Sequence, residues 1–121
     1  EKAKSAKDDI NFKFVIDESM HQVTFSSVIG VNLYRTIQEA VNNAIKYSEA
    51  KDIEVNVKKI GEQIQITIHD NGKGFDLQSA LISGGVGLNS MYERTVEIGW
   101  RMEITTAINQ GTHLRIEKLK S

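Results

Sequence analysis

The chain has no cysteine and no proline. Without a thiol it can form no disulfide, no thiolate nucleophile and no zinc–thiolate centre, and the absence fits a reducing compartment. Without proline, its turns must be made by Gly, Asn and Asp. Long apolar runs are missing too. A membrane-spanning helix needs about 20 such residues, and here the longest stretches are a few residues, so neither a span nor a signal-peptide core is expected. If the intact protein is anchored in a membrane, the anchor lies outside this sequence. Nor is there an excess of one charge. Fifteen Lys and Arg stand against 16 Asp and Glu, a formal net charge of -1, so no nucleic-acid surface and no membrane contact by this chain are expected. What remains is 121 residues, 40% of them apolar, which suits one domain with a single core.

Residues 1–9 are polar and lysine-rich and read as a linker or an expression remnant, with the folded domain spanning 10–121. Phe12, Phe14 and Ile16 alternate with polar neighbours, as in a strand. From about Val31 to Ser48 the period lengthens: Leu33, Ile37, Ala40, Val41, Ala44 and Ile45 recur at helical spacing, with Ser26 and Ser27 as candidate caps upstream. Ile53, Val55 and Val57, a Gly61-Glu62 turn, and Ile64, Ile66 and Ile68 spell a hairpin of half-buried strands. Leu77 to Leu81 suits one or two helical turns. A helix from Leu88 to about Ile98 follows Gly84-Gly85-Val86-Gly87, and Gly99 ends it. Met102, Ile104 and Thr106, a turn at Asn109-Gln110-Gly111, and Leu114 with Ile116 form a second hairpin. Strands in pairs with helices between them predict an α+β two-layer sandwich, a mixed and mostly antiparallel sheet with its helices on one face.

Three features carry chemistry. Glu39, Asn43 and Lys46 fall at four- and three-residue steps, which on a helix brings their Cβ atoms within roughly 6 Å of each other. A carboxylate, a carboxamide and an ammonium on one stripe could serve Mg²⁺ and phosphate, or be a solvated helix face. Asp70-Asn71-Gly72-Lys73-Gly74 ends a buried strand with an acceptor and a tightly bending backbone, or is a plain Asn-Gly turn. Gly84-Gly85-Val86-Gly87 opens a helix, where exposed N–H groups favour an anion, or is a flexible connection.

Taken in order, these motifs resemble one family. A helix with Glu-x-x-x-Asn, a strand ending in Asp-x-Gly-x-Gly, Gly-x-Gly before a helix and a late Gly-Thr strand look like the ATP-binding fold of gyrase, heat-shock chaperones, histidine kinases and mismatch-repair ATPases. The likeness runs from about Phe12 to Lys118. The stretch from Leu33 to Ala44 resembles the N box of sensor histidine kinases, and the stretch from Gly85 to Arg94 the glycine box of their short-lid subgroup. The phenylalanine-containing motif of longer lids is missing, as in that subgroup.

The resemblance implies ATP and Mg²⁺ as cofactors. It casts Asn43 as the Mg²⁺ ligand, Glu39 as general base or orienter of the attacking group, and Lys46 as a phosphate contact. Tyr47, where many kinases carry histidine, falls within the nucleotide site. Asp70 would accept from the adenine amino group, Gly72 and Gly74 would leave room for the nucleotide, and Thr112 would help to hold adenine through its hydroxyl. Gly85 and Gly87 would hinge the lid, with Leu88 following in the same binding loop. It further implies a cytoplasmic domain that phosphorylates a histidine on a separate dimerisation domain of the parent protein, with a response regulator served indirectly. An anti-sigma-factor serine kinase and a catalytically inactive nucleotide-binding module share the fold and remain alternatives. None of His21, His69 and His113 sits on a helix ahead of an acidic residue, so the phosphoacceptor is expected upstream of Glu1, and all three histidines read as structural or solvated. Trp100 and Met102 read as core or sheet-edge packing, and Asn42, about 100° around the helix from Asn43, as facing elsewhere.

Overall fold

A computed structural model describes residues 10–83 and 87–118. Strands β1 (Asn11–Ile16), β2 (Asp52–Ile60), β3 (Gln63–Asp70), β4 (Trp100–Thr106) and β5 (Thr112–Lys118) form one sheet in the order β1-β2-β3-β5-β4. Helices α1 (Ser27–Lys46), α2 (Leu77–Ser83) and α3 (Leu88–Glu97) complete the fold. Only β1 and β2 pair in parallel; the other neighbours are antiparallel. The result is an open, mixed α+β sandwich, as the alternation of strand pairs and helices predicts.

The strand period of two divides the sheet into two unlike faces. Val55, Val57, Ile64, Ile66, Ile68, Met102, Leu114 and Ile116 point to the helices and share one buried cluster with Leu33, Ala40, Leu88 and Met91. Removing each large aliphatic side chain from water stabilises by roughly 1.5–3 kcal/mol. On the opposite face the same strands carry a charged ladder. Arg101 Nη2 lies 2.9 Å from Glu117 Oε1, Gln65 Nε2 donates to Glu117 at 3.0 Å, and Arg115 pairs with Glu103.

The long helix begins one turn earlier than its apolar spacing predicts, at Ser27. Ser26 is its N-cap, with Oγ accepting from the amide of Ile29 at 3.3 Å, and this satisfies one of the orphan donors of the first turn. Valine and glycine in that first turn hide the start from a periodicity argument. Buried Leu33, Thr36, Ala40 and Ala44 form the inward stripe. Small residues at 40 and 44 let the helix lie close to the sheet. Thr36, fully buried, satisfies its hydroxyl by donating to the carbonyl of Asn32 at 2.8 Å. Trp100 is buried at the start of the edge strand β4 and meets Phe25 edge-on, with ring centroids 6.0 Å apart.

Cover by the helices is only partial over β1, where Phe12 and Phe14 share a groove with Tyr34, Ile37 and Val41 of α1. Phe12, Phe14 and Ile16 pair with Ile53, Val55 and Val57 and so lie on the core side, yet they are 51%, 48% and 65% exposed. The contrast along one sheet face gives a direct test. Ile116→Ala should cost about 2–5 kcal/mol in urea denaturation, whereas Ile16→Ala, on the partly covered strand, should stay within about 0.5 kcal/mol.

Candidate functional site

The strand register sets one row of side chains at the open end of the helix-facing side: Ile53, Asp70, Thr112 and Thr106 are successive cross-strand partners. Asp70 is therefore on the core side of β3 and is only 4% exposed. Its Oδ1 accepts from the amide of Gly72 at 2.8 Å. Burial pushes its carboxyl above the ordinary carboxylate range, opposed by the amides of Gly72 and Thr112 and by the nearby His69. Beside it, the hydroxyls of Thr112 and Thr106 lie 3.0 Å apart, and that of Thr106 also accepts from the amide of Phe75 at 3.1 Å.

Asp70 and Thr112 border a cavity between the sheet and the end of α1. Asn43 of α1 and Tyr47, the C-cap of that helix, line it together with Asp70 and Thr112, against an apolar wall that includes Phe75, Met91 and Ile104. The structure thus brings Asn43, Tyr47, Asp70 and Thr112 to one cavity. Lys46 is exposed and lies outside that lining. Leu88 is fully buried in the core, which leaves only its backbone for a ligand. Gly85 lies outside the described residues.

Two glycines of the loop after β3 are fixed by close approaches. A Cβ on Gly72 would stand 2.5 Å from both Cβ and O of Ser48, and one on Gly74 would collide with the carbonyl of Ala107. The crowding that excludes side chains there comes from the protein's own backbone, which the sequence could not reveal. Ser48, next to the C-cap of α1, accepts from the amide of Lys73 at 2.7 Å. Asn71 adds a second tie: its Oδ1 accepts from the amides of Lys51 and Asp52 at 3.0 and 2.9 Å, and its Nδ2 donates to Asp52 Oδ2 at 2.8 Å. The loop after β3 is thereby pinned to both α1 and β2.

Gly87 caps α3 in the left-handed conformation, φ 64°, with no side-chain bond to the first turn. The helix entrance keeps amides for an anion. Glu39, half-buried on α1, faces this point: a Cβ on Gly87 would lie 2.3 Å from Glu39 Oε2. The carboxylate of one motif and the glycine of another are therefore neighbours. The donor set fits a nucleotide and its Mg²⁺: a buried acceptor for an amino group, an apolar wall for a ring, a carboxamide oxygen and an uncapped helix start. Mg²⁺ keeps waters and shares phosphate ligands, so it needs no all-protein cage.

Sequence reasoning overlooked Ser48, Phe75, Met91, Ile104 and Thr106, of which Ser48 and Thr106 bear polar atoms. Thr106 alternates as a strand residue, and only its pairing with Thr112 reveals its place. Among the described residues no helix is long and apolar enough to cross a membrane.

Comparison with known proteins follows this geometry. The histidine kinase domain from the blue-light activated histidine kinase of Erythrobacter litoralis EL346 superposes with a TM-score of 0.76 at 17% identity, over 91% of this chain and 51% of that one. The histidine kinase AdeS of Acinetobacter baumannii gives 0.72 at 15% identity, over 91% and 54%. The mycobacterial sensor histidine kinase MprB gives 0.70 at 22%, over 93% and 83%. This chain spans about half the length of the first of these structures. Residues 29–121 match the family described as histidine kinase-, DNA gyrase B- and HSP90-like ATPase, a span that takes in both glycine motifs and every side chain lining the cavity, and the chain belongs to that family.

Proposed function

We propose that this chain is the ATP-binding catalytic domain of a two-component sensor histidine kinase, working in the cytoplasm with Mg²⁺. It transfers the γ-phosphoryl group to a histidine on a separate dimerisation domain of its parent, for relay to a response regulator. The observation that carries this reading is Asp70: a carboxylate kept buried at the end of a central strand, bordering an otherwise apolar cavity with Thr112 and Asn43. Burying a carboxylate is costly even with backbone donors beside it, and an adenine amino group is the donor that gives it a use. The resemblance of 85–94 to the glycine box of histidine kinases favours this over a serine kinase of the same fold.

In this reading Asp70 selects adenine over guanine, and Thr112 supports the same ring edge. Asn43 supplies an oxygen to Mg²⁺, whose bound charge would offset that of the phosphates. The amides at the start of α3 hold phosphate oxygens, with Lys46 and Tyr47 at the outer end of α1. Glu39 takes or orients the proton of the incoming nucleophile. Phosphoryl transfer requires mainly positioning and charge neutralisation, so a domain without its own nucleophile can still provide the catalytic half of the reaction.

Calorimetric titration with a non-hydrolysable ATP analogue should show adenine-selective binding that strengthens with Mg²⁺, with GTP far weaker. Asp70→Asn should weaken that binding by about 10- to 100-fold, and Asn43→Ala should remove the Mg²⁺ dependence. Absence of any binding at millimolar nucleotide would sink the proposal. Phosphate appearing on a supplied serine partner, and not on a histidine helix, would replace it with the serine-kinase reading.

The buried carboxylate also predicts a separation of stability from binding. Its folded-state pKa is raised above 3.8, so the native chain holds that proton more tightly than the unfolded one. Ionised Asp70 therefore lowers stability, an effect absent below 3.8 and complete above the raised value. Asp70→Asn should show a Tm at neutral pH equal to or above that of the native chain, with any gap closing as pH falls to about 4. Thermal unfolding across that range checks it.

A further inference from the structure

The outer face of the sheet holds a pair of groups that the nucleotide site does not use. His69 on β3 and His113 on β5 are direct cross-strand partners, with ring centroids 5.6 Å apart and planes inclined at 57°. Both are exposed. Glu54 is the partner of His69 on β2, and Thr105 the partner of His113 on β4. Asn56 donates to Glu54 Oε2 at 3.2 Å, which steadies a carboxylate beside the pair. Arg115, the nearest cation along β5, pairs with Glu103.

We propose that His69 and His113 form a binding site for a borderline divalent transition-metal ion of the zinc, nickel or copper class, on the sheet face opposite the nucleotide cavity. Metal–nitrogen bonds of about 2.0–2.1 Å in a tetrahedral arrangement put two imidazole centroids roughly 5 Å apart. The observed 5.6 Å is within about 1 Å of that spacing. Imidazole suits these ions, while Mg²⁺ and Ca²⁺ prefer oxygen. The chain has no cysteine, so no thiolate competes. Metal binding needs neutral imidazole. Among the described residues no three His, Cys, Asp or Glu side chains gather in a metal-binding group, so the ion is held by the pair and completes its coordination with water.

Position gives the site its consequence. In a strand, neighbours in sequence point to opposite faces, so His69 stands behind Asp70 and His113 behind Thr112. Asp70–Thr112 is the last pair of the β3–β5 ladder, where a ladder frays most readily. An ion shared by the histidines joins the two strands one residue inside that end. The site stands independently of the nucleotide reading.

The test uses the 121-residue chain, stripped with chelator and free of nucleotide. Zn²⁺, Ni²⁺ and Cu²⁺ are titrated by calorimetry, and histidine side-chain resonances are followed by NMR. The expected result is one saturable ion per chain, tightest for Cu²⁺, with shifts at His69 and His113 and none at His21. H69Q and H113Q should each weaken uptake by more than about tenfold, whereas H21Q leaves it unchanged and Mg²⁺ does not compete. Because both side chains are exposed, the variants should fold, and their circular dichroism checks that. Saturating ion should raise the Tm of the native chain and not that of H69Q or H113Q. Uptake that survives either substitution, that follows His21, or that fails to saturate overturns the site. Saturation with no change in Tm overturns the joining of the strands.

Discussion

A carboxylate can stay out of water only where the surrounding backbone supplies donors for it, and much of this fold is arranged around that requirement at Asp70. The amide of Gly72 reaches Oδ1 because the chain turns back immediately after β3. That turn fits only because residue 72 can press against Ser48 at the end of α1, and residue 74 against Ala107 in the β4–β5 turn. Asn71 ties the same loop to the start of β2. Helix end, loop and hairpin turn are thus mutually packed around one acceptor. For the function proposed above, the cost of desolvating it would be the counterpart of selectivity: an acceptor already stripped of water loses little more when a ligand's amino group arrives, and leaves an unmatched ligand without a partner.

The face of each strand was legible in the sequence, because a period of two needs nothing but alternation. The same holds for the inward stripe of α1 and the end of α3 at Gly99. Partner and direction were not legible. Phe12, Phe14 and Ile16 announce a strand, but nothing local says that it pairs in parallel with a segment some forty residues on; that follows from α1 filling the crossover. The start of α1 was hidden for a different reason, since its first turn depends on the Ser26 cap and not on burial. At the site, groups with distinctive chemistry, Glu39, Asn43, Asp70 and Thr112, could be named from motifs. The wall of Phe75, Met91 and Ile104 could not, because apolar side chains look alike in a core and in a cavity. Nor could the Glu39–Gly87 approach or the His69–His113 pairing, which exist only once register and helix packing are set.

The alternation that makes the sheet readable also lets it carry two sets of groups on the same residues of chain. Along β3 and β5 the inward side holds the core and the cavity-facing row, while the outward side holds charge and imidazole. Residues 69 and 113 thus sit back to back with 70 and 112, on the same two strands but on opposite faces.

The partly covered flank at β1 gives the molecule a graded mechanical profile. β3 and β5 are laced on both sides by hydrogen bonds and roofed by helices, so freeing either means dismantling the core. β1 is bonded along one side only, in parallel, and its aromatic side chains have already half returned to water. Less apolar surface is uncovered when it detaches than when β3 or β5 does, so its opening demands less free energy than opening the centre of the sheet. Amide protons of β1 will therefore exchange with solvent through a local excursion that leaves the centre of the sheet intact.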